Sequence, residues 1–288
     1  MPLPPDLPIV DHHCHLAPTG EGVEAARRFQ SAGGTHLFLT TQQYTPAVAT
    51  TLDAYREQFE TTEALARRIA SEVGVTVYVV VAPYPIDLIR SQESLGLSGA
   101  VALQRAAIDL AGHWVEEQRA VALGEVGRPH FPIAPPVADA VDEVFRHALG
   151  VARDAGCPAV VHCADLNADG YRELAQVAAQ SSFPVHRLIK HYARTIVPAE
   201  LRGGVTPSYL ARRPLVDRVL GDPSTWFLET DFLDDPARPG AVLDLATIPK
   251  RAAALAQKQP DAVELLRVPF QRAIEQVYGF SPTVVRGT

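Results

Sequence analysis

The amino-acid sequence predicts an α/β protein of the (β/α)8 or TIM-barrel class, organised as a single domain over residues 1–288. Short apolar runs rich in β-branched residues recur along the chain, as expected for parallel strands that are buried on both faces. Longer segments with the spacing of amphipathic helices separate these runs. Eight such alternations in a chain of 288 residues favour a closed barrel over an open doubly wound sheet.

Each predicted strand is a short hydrophobic run. The seventh is only two residues long and ends at Pro207. In chain order, the eight predicted strands are Ile9–Cys14, His36–Thr40, Thr76–Ala82, Ala120–Glu125, Ala159–His162, Arg187–His191, Val205–Thr206 and Trp226–Thr230.

The predicted helices lie between the strands. Gly74 and Gly156 are typical helix stop signals, and the proline cluster Pro129–Pro136 predicts a loop because it directly follows a strand. A proline-interrupted loop after the eighth strand precedes two further helices that complete the outer ring. The helical segments are Glu21–Ala32, Leu52–Val73, Ser98–Glu117, Ala138–Ala155, Arg172–Ala179, Ile248–Lys258 and Ala262–Tyr278.

Composition and charge argue against several classes of function. The formal charge of -7 disfavours a broad basic surface for duplex DNA or anionic membranes, but it permits a short nucleic-acid end to enter a metal-lined cleft. Apolar runs such as Val77–Pro83 are far shorter than the roughly 20 residues of a membrane-spanning helix. The first residues lack the pattern of a signal peptide. With three cysteines and no disulfide framework, we expect a cytoplasmic protein.

Five of the predicted strands are followed or terminated by residues that can bind a metal. The active sites of barrel enzymes are built at the carboxyl ends of the strands. A single buried histidine is more often structural. Six candidates in barrel order predict instead one metal site at the barrel mouth. The candidate ligands are His13 and His15 after the first strand, Glu125 after the fourth, His162 after the fifth, His191 after the sixth and Asp231 after the eighth.

Strand geometry supports the first pair of ligands. Side chains two residues apart point the same way, so His13 and His15 face the barrel axis together, while His12 and Cys14 are expected to point outward. Imidazole and carboxylate ligands suit zinc, manganese, iron or similar ions. Glu125 has two oxygens with which to bridge two metals, and such a pair would lower the pKa of a shared water.

These residues resemble the amidohydrolase superfamily, and most closely its TatD-like branch of metal-dependent deoxyribonucleases and related hydrolases. The resemblance covers nearly the whole chain. It implies that His13, His15 and Asp231 hold one metal, that His162 and His191 hold the other, and that Glu125 bridges them. The matching pieces are D-x-H-x-H-L at Asp11–Leu16, G-E-x-G at Gly124–Gly127, the single histidines His162 and His191, and E-T-D at Glu229–Asp231.

Two departures refine the resemblance. Many phosphotriesterase-like and dihydroorotase-like relatives bridge their metals with a carboxylated lysine on the fourth strand, where this chain has Glu125. The stretch Phe232–Gly240 differs from the E-T-D-x-P-Y style of the best-known TatD nucleases. It looks more like a less studied branch of predicted metal hydrolases, which leaves the choice between DNA and another substrate open.

The predicted reaction is hydrolysis by a metal-bound hydroxide, with Asp231 and Glu125 as the catalytic carboxylates and Asp231 accepting or relaying the proton. One or two divalent ions are expected, with zinc first and manganese, magnesium, iron or nickel as alternatives. By resemblance, the bond is a phosphoester. One alternative is a hydrolase of carboxylic esters, lactones or amides. The other is a catalytically inactive metal-binding barrel, and the intact set of six ligands argues against it.

Three loop residues are predicted to bind substrate: Arg128 and His130 after the fourth strand and Arg194 after the sixth. For each of these residues taken alone, the alternative is a charged loop side chain that is solvated and has no role in binding. The expected substrate is a small anionic molecule or a nucleic-acid end, with no membrane and no extended duplex DNA as partner. The oligomeric state is left open.

Several neighbours of the ligands have expected places as well. Glu229 shares the parity of Asp231 and is expected either to orient a ligand histidine by a hydrogen bond or to form a buried salt bridge. Lys190 is expected to cover apolar surface with its stem and to reach solvent. Cys14 and Cys163 are expected to face the helix layer as small hydrophobic side chains, with zinc coordination as the alternative.

Overall fold

The computed structural model describes residues 3–235, 243–259 and 261–284. Within these ranges, the strands form one parallel sheet in the order β8-β7-β6-β5-β4-β3-β2-β1-β9. The strands are β1 (Val10–His15), β2 (His36–Thr40), β3 (Thr76–Val81), β4 (Ala122–Gly127), β5 (Ala159–His162), β6 (Leu188–Ala193), β7 (Thr206–Leu210), β8 (Phe227–Glu229) and β9 (Phe232–Leu233).

One stretch of chain closes the sheet into a barrel. β8 and β9 are separated only by Thr230 and Asp231. Glu229 of β8 pairs with Leu210 of β7, whereas Leu233 of β9 pairs with His15 of β1. The two short strands therefore fill one barrel position, and the predicted single-domain TIM barrel is confirmed.

Helices surround the barrel. The described residues contain α1 (Val23–Ser31), α2 (Leu52–Val73), α3 (Pro85–Glu116), α4 (Pro135–Asp154), α5 (Ala168–Gln180), α6 (Arg213–Val219), α7 (Thr247–Lys258), α8 (Ala262–Arg267) and α9 (Ala273–Tyr278), with a π-helical turn between the last two. None of these helices is both long and apolar enough to span a membrane.

Local signals explain the bounds of α2, which lie where the sequence predicts them. The side chain of Thr51 accepts a hydrogen bond from the backbone N–H of Ala54 at 3.2 Å and thereby caps the first turn. At the other end, Gly74 adopts φ 78°, a left-handed conformation that costs glycine little.

Several elements are longer than predicted, α3 and β7 among them. α3 begins at Pro85, not at Ser98, because a first helical segment precedes Gly96, whose φ of 67° interrupts the helical geometry. Proline is well tolerated in a first turn, where its missing N–H has no partner to lose. β7 continues through Pro207 to Leu210, beside an irregular register in β6. The proline-interrupted stretch 236–242 lies outside the described residues.

Alternate strand residues enter two cores. Leu37 and Leu39 of β2 pack in a cluster with helices α1 to α5, while Phe38, between them, joins a cluster with the C-terminal helices. This alternation is the period of two expected for a strand. It separates the layer between the barrel and helices α1 to α5 from a second core, in which barrel residues pack with the C-terminal helices.

β1 breaks this period at a bulge. Its pairing with β2 shifts between Asp11 and Cys14, so the regular alternation is lost at His12 and His13. The prediction that His12 points outward is wrong. Its ring stacks on Phe227 with centroids 3.8 Å apart, and its Nε2 lies 2.9 Å from the hydroxyl of Tyr278.

Candidate metal centre

The structure brings all six predicted metal ligands together at the carboxyl end of the barrel. Three sets of side chains each have ligand atoms within 4.8 Å of one another. Glu125 belongs to two of them, and the third joins His13, His191 and Glu229. We call His13, His15 and Asp231 the β1/β8 group, and His162 and His191 the β5/β6 group.

The β1/β8 group is compact. The Nε2 atoms of His13 and His15 lie 3.1 Å apart, and they lie 2.9 and 3.2 Å from Oε1 of Glu125. Oδ1 of Asp231 is 3.7 Å from each of the two nitrogens. Atoms that share one zinc ion at about 2.1 Å in a tetrahedron are roughly 3.4 Å apart. The donor atoms therefore have the spacing that a single ion requires.

The β5/β6 group contacts the same carboxylate, and His162 faces its other oxygen. Nδ1 of His162 lies 3.0 Å from Oε2 of Glu125 and 3.2 Å from Nε2 of His191. Nε2 of His191 is also 3.6 Å from Oε1 of Glu125. Oε1 of Glu125 thus faces the β1/β8 group and His191, while Oε2 faces His162, so the carboxylate lies between the two groups and could contact an ion in each.

The imidazole of His15 is oriented by its neighbour Thr40. Nδ1 of His15 lies 3.1 Å from the carbonyl oxygen of Thr40, so this nitrogen carries the proton and Nε2 presents its lone pair to the centre. The hydroxyl of Thr40 lies 3.3 Å from Nδ1 of His13. Thr40, at the end of β2, was not among the predicted site residues.

Asp231 reaches the centre from an unusual backbone conformation. Its φ is 50°, in the left-handed region that few residues other than glycine adopt. Its N–H donates to the carbonyl of His13 at 3.0 Å. Next to it, Thr230 donates its N–H and its hydroxyl to the buried carboxylate of Asp11. These bonds hold the segment after β8 against β1.

Burial and charge shift the pKa values of the site. Burial alone raises the pKa of Glu125, but the four surrounding histidines outweigh it and hold the pKa well below its ordinary value. Burial raises the pKa of Asp231 to about 8, and the charges of Glu229 and Glu125 add to this rise. Burial lowers the pKa of His15, but the carboxylates of Glu125 and Asp231 outweigh burial and raise it.

Such a cluster of buried carboxylates and imidazoles fits a cation. Closely packed carboxylates in a low-dielectric site repel one another, and divalent ions relieve that repulsion. Among the described residues, Oε2 of Glu229 and Nδ1 of His191 are buried without a hydrogen-bond partner. The donor set of nitrogen and oxygen atoms, together with its spacing, therefore suits the metal ions that the sequence predicts.

Glu229 lies below the centre, as its parity predicts. It is fully buried, and its Oε1 is 3.5 Å from Nδ1 of His191. The two groups are within ion-pair distance but are not hydrogen bonded, and burial lowers the pKa of His191 well below its ordinary value, which disfavours the charged imidazolium that a salt bridge requires. Glu229 also accepts a hydrogen bond from the backbone N–H of Tyr192.

Lys190 does not reach solvent, so that prediction is wrong. Its side chain is 1% exposed. Its ammonium group donates hydrogen bonds to the carbonyl oxygens of Cys163 and His191. The expectation failed because the ammonium group finds backbone carbonyl partners inside the protein, which a rule based on the lysine side chain alone does not foresee.

Both cysteines near the ligands pack as small hydrophobic side chains. Cys14 is fully buried in the layer between barrel and helices, and Cys163 packs against the same cluster. Within the described part of the chain, neither belongs to a set of converging ligand atoms.

The three predicted substrate-binding residues have different surroundings. The guanidinium of Arg128 is bound by Asp142 of α4 and Glu173 of α5, which favours a structural role for this arginine. His130 is exposed, and its Nδ1 lies 3.2 Å from Nε2 of His162. Arg194 is exposed, with its guanidinium 5.5 Å from the ring centre of Tyr192.

Tyr84 is a neighbour of the site that the sequence analysis missed. Its hydroxyl lies 3.4 Å from Nε2 of His162, and its ring meets the His162 ring edge-on. Tyr84 comes three residues after the end of β3. Its place just after a strand is the signal that indicates it, since polar side chains other than metal ligands also reach the mouth from that position.

A barrel with these donors at the carboxyl ends of its strands belongs to the class of metal-dependent hydrolases. The model of the family described as TatD related DNase matches residues 10–279. An uncharacterized protein of Methanocaldococcus jannaschii is 28% identical over 256 residues, which cover 88% of this chain and 89% of that protein.

Solved structures share the fold. YJJV, a TatD homolog from Escherichia coli K12, matches with a TM-score of 0.62 and 16% identity over 94% of this chain and 98% of its own. A mutant PTE-like lactonase from Deinococcus radiodurans matches with a TM-score of 0.59 and 15% identity, covering 95% and 96%. The chain belongs to the TatD-related DNase family, within the amidohydrolase-type superfamily of metal-dependent hydrolases.

Proposed function

We propose that this protein is a two-metal phosphoester hydrolase that acts on small phosphate esters or on frayed nucleic-acid ends. The observation that carries the proposal is the placement of Glu125, whose Oε1 lies 2.9 Å from His13 and whose Oε2 lies 3.0 Å from His162. The description of the matching family as TatD related DNase supports a phosphoester as the bond that is cleaved.

In this proposal the β1/β8 group holds one ion, the β5/β6 group holds the other, and Glu125 lies between them. Zinc is the expected metal because the donors are imidazole nitrogens and carboxylate oxygens, with manganese, magnesium, iron or nickel as alternatives. When bound, the ions would supply an activated water and polarise the scissile bond.

Asp231 is the proton acceptor in this proposal. Its side chain is 18% exposed, so it borders the open mouth, whereas the side chain of Glu125 is only 6% exposed. A carboxylate beside the attacking water takes the proton as the bond to phosphorus forms, and it later returns the proton to the leaving oxygen.

The mouth beside the β5/β6 group combines flat rings with a cation. Phe131 is 41% exposed, and its ring meets that of His130 edge-on with centroids 5.3 Å apart. Exposed aromatic rings stack on unpaired bases. Arg194 offers a positive charge for a phosphate, whereas Arg128 is already bound to two carboxylates. Together with the net charge of -7, this favours a short end over a long duplex.

The fold likeness to a protein described as a PTE-like lactonase favours lactone or carboxylic ester hydrolysis as the second candidate. The two candidates differ in what the mouth must recognise. A phosphoester carries a negative charge that Arg194 attracts, whereas a lactone is neutral.

The test is a substrate panel on metal-free protein reloaded with Zn²⁺ or Mn²⁺. It compares a phosphodiester, an oligonucleotide with single-stranded ends, a blunt duplex, a lactone and a neutral carboxylic ester. We expect cleavage of the phosphodiester and of the frayed ends, with little cleavage of the blunt duplex. Arg194→Ala should raise KM for the phosphodiester and leave the metal content unchanged, while the surface control Lys250→Ala should change neither. Cleavage of the lactone or neutral ester without any cleavage of the phosphodiester would overturn the proposal.

A further inference from the structure

The histidines of the β5/β6 group lie where the pairing between β5 and β6 stops, although His162 is still paired with Gly127 of β4. The last registered pair between β5 and β6 is Val161 with Lys190, one residue before each ligand. On the other side of β6, the pairing with β7 shifts between Lys190 and Ala193. His191 therefore lies in an irregular stretch, and sheet hydrogen bonds alone do not fix its distance from His162.

The buried side chain of Lys190 bridges this gap. Its Nζ donates to the carbonyl oxygen of Cys163 at 3.3 Å and to the carbonyl oxygen of His191. Cys163 directly follows His162 in the chain, so the lysine ties the backbone beside one ligand to the backbone of the other. A lysine that is 1% exposed pays a large desolvation cost, which strong hydrogen bonds must offset.

Asp165 ties the same two segments together a few residues further on. Its Oδ1 accepts a hydrogen bond from the N–H of Arg194 at 3.0 Å, and its Oδ2 accepts one from the hydroxyl of Thr195 at 2.7 Å. Lys190 and Asp165 thus form two successive side-chain ties between the segments that follow β5 and β6.

We propose that Lys190 is a positioning residue that sets the separation of His162 and His191, and with it the affinity of the β5/β6 group for its metal ion. Asp165 reinforces the same separation. The inference rests on the proposed two-metal site. The separation in question is the 3.2 Å between Nδ1 of His162 and Nε2 of His191.

The direction in which metal affinity changes when Lys190 is replaced distinguishes a positioning role from a purely electrostatic one. The positive charge of an ammonium group repels a nearby cation, so a lysine that acted through charge alone would weaken metal binding, and its removal would strengthen binding. A lysine that positions the ligands does the opposite. Outer partners of metal ligands typically change metal affinity about 10–100-fold when they are mutated.

The experiment is a calorimetric titration of metal-free protein with Zn²⁺ alone, without substrate. We expect Lys190→Met to raise the Kd of the weaker ion by about 10–100-fold and to leave the Kd of the tighter ion unchanged. The control Lys250→Met, at an exposed lysine of α7, should behave as the wild type. Asp165→Ala should weaken the same ion by a smaller factor.

An unchanged or tighter second Kd in Lys190→Met overturns the inference, as does equal weakening of both ions or a wild-type chain that takes up a single ion. If Lys190→Met does not fold, the titration is repeated with Asp165→Ala. An unchanged Kd of the weaker ion in that variant also overturns the inference. Because no substrate is present, a protein that binds two ions but cleaves no phosphoester refutes the proposed function and leaves the positioning role of Lys190 standing.

Discussion

The two halves of the metal centre are built by different means. In the β1/β8 half, backbone pairing continues past the ligands. His15 pairs with Leu233 of β9, and the N–H of Asp231 donates to the carbonyl of His13. In the β5/β6 half, His162 still pairs with Gly127 of β4, but between β5 and β6 the side chains of Lys190 and Asp165 take the place of backbone pairing. Backbone pairing therefore reaches His15 and Asp231, whereas the separation of His162 and His191 depends on two side chains.

The outward-facing nitrogens of His15 and His191 differ in the same sense. Nδ1 of His15 lies 3.1 Å from a backbone carbonyl oxygen. Nδ1 of His191 has no hydrogen-bond partner among the described residues and lies 3.5 Å from Glu229. Preorganised ligands lose less freedom when an ion binds. We therefore expect the β1/β8 group to bind its ion more tightly than the β5/β6 group.

The largest difference is expected between two double variants. His13→Ala with His15→Ala should remove the tightly bound ion and abolish turnover, because two of the three ligands of that group are lost. His162→Ala with His191→Ala should keep one ion per chain. Elemental analysis after metal loading and desalting measures both outcomes. Equal metal content in the two variants would show that the halves are not distinct.

A second prediction concerns chemistry within the β1/β8 half. Asp231→Asn should keep the fold and most of the bound metal, yet lower kcat by about 10²–10⁴-fold, because an amide does not accept a proton from water. Steady-state kinetics at saturating metal tests this, with Asp53→Asn on the surface of α2 as the control. A variant with near wild-type turnover would limit Asp231 to a ligand role and place the base elsewhere.

The smallest effect is expected at Asp87, which lies outside both halves. Burial raises its pKa to about 6, while the nearby charge of Arg90 and a hydrogen bond from Tyr55 oppose that rise. Because the folded protein holds this proton more tightly than the unfolded chain does, the contribution of Asp87 to stability is full below about pH 4 and is lost as the pH rises to about 6. The loss amounts to about 3 kcal/mol.

Asp87→Asn should remove this loss. The free energy of unfolding of the metal-free variant should exceed that of the wild type at pH 7 by more than it does at pH 4. Urea unfolding at a series of pH values measures the difference. Parallel curves for the two proteins would contradict the prediction, and a change in either metal affinity would show that Asp87 is coupled to the centre.

Regular local patterns made much of this centre predictable from sequence. Strand periodicity located the strand ends, and side chains of the right chemistry at those ends identified the six residues that the structure brings together. His13 and His15 were placed correctly because they lie on the same side of β1. Their approach to Glu125 follows from barrel closure, which needs only the order of the strands.

The remaining features depend on register and on distant partners. The bulge in β1 turns His12 into the barrel, and the ammonium group of Lys190 is buried against two backbone carbonyl groups. Arg128 is bound by carboxylates from two different helices, a contact that no local pattern contains. A rule that assumes alternation fails at a bulge, and a rule based on single residues does not foresee tertiary ion pairs.

The central claim is a two-ion centre bridged by Glu125, and anomalous diffraction from zinc-loaded crystals tests it most directly. We predict two peaks, the stronger one among His13, His15 and Asp231 and the weaker one between His162 and His191, with the carboxylate of Glu125 bound to both. One peak alone, or two peaks of which neither contacts Glu125, would contradict the account.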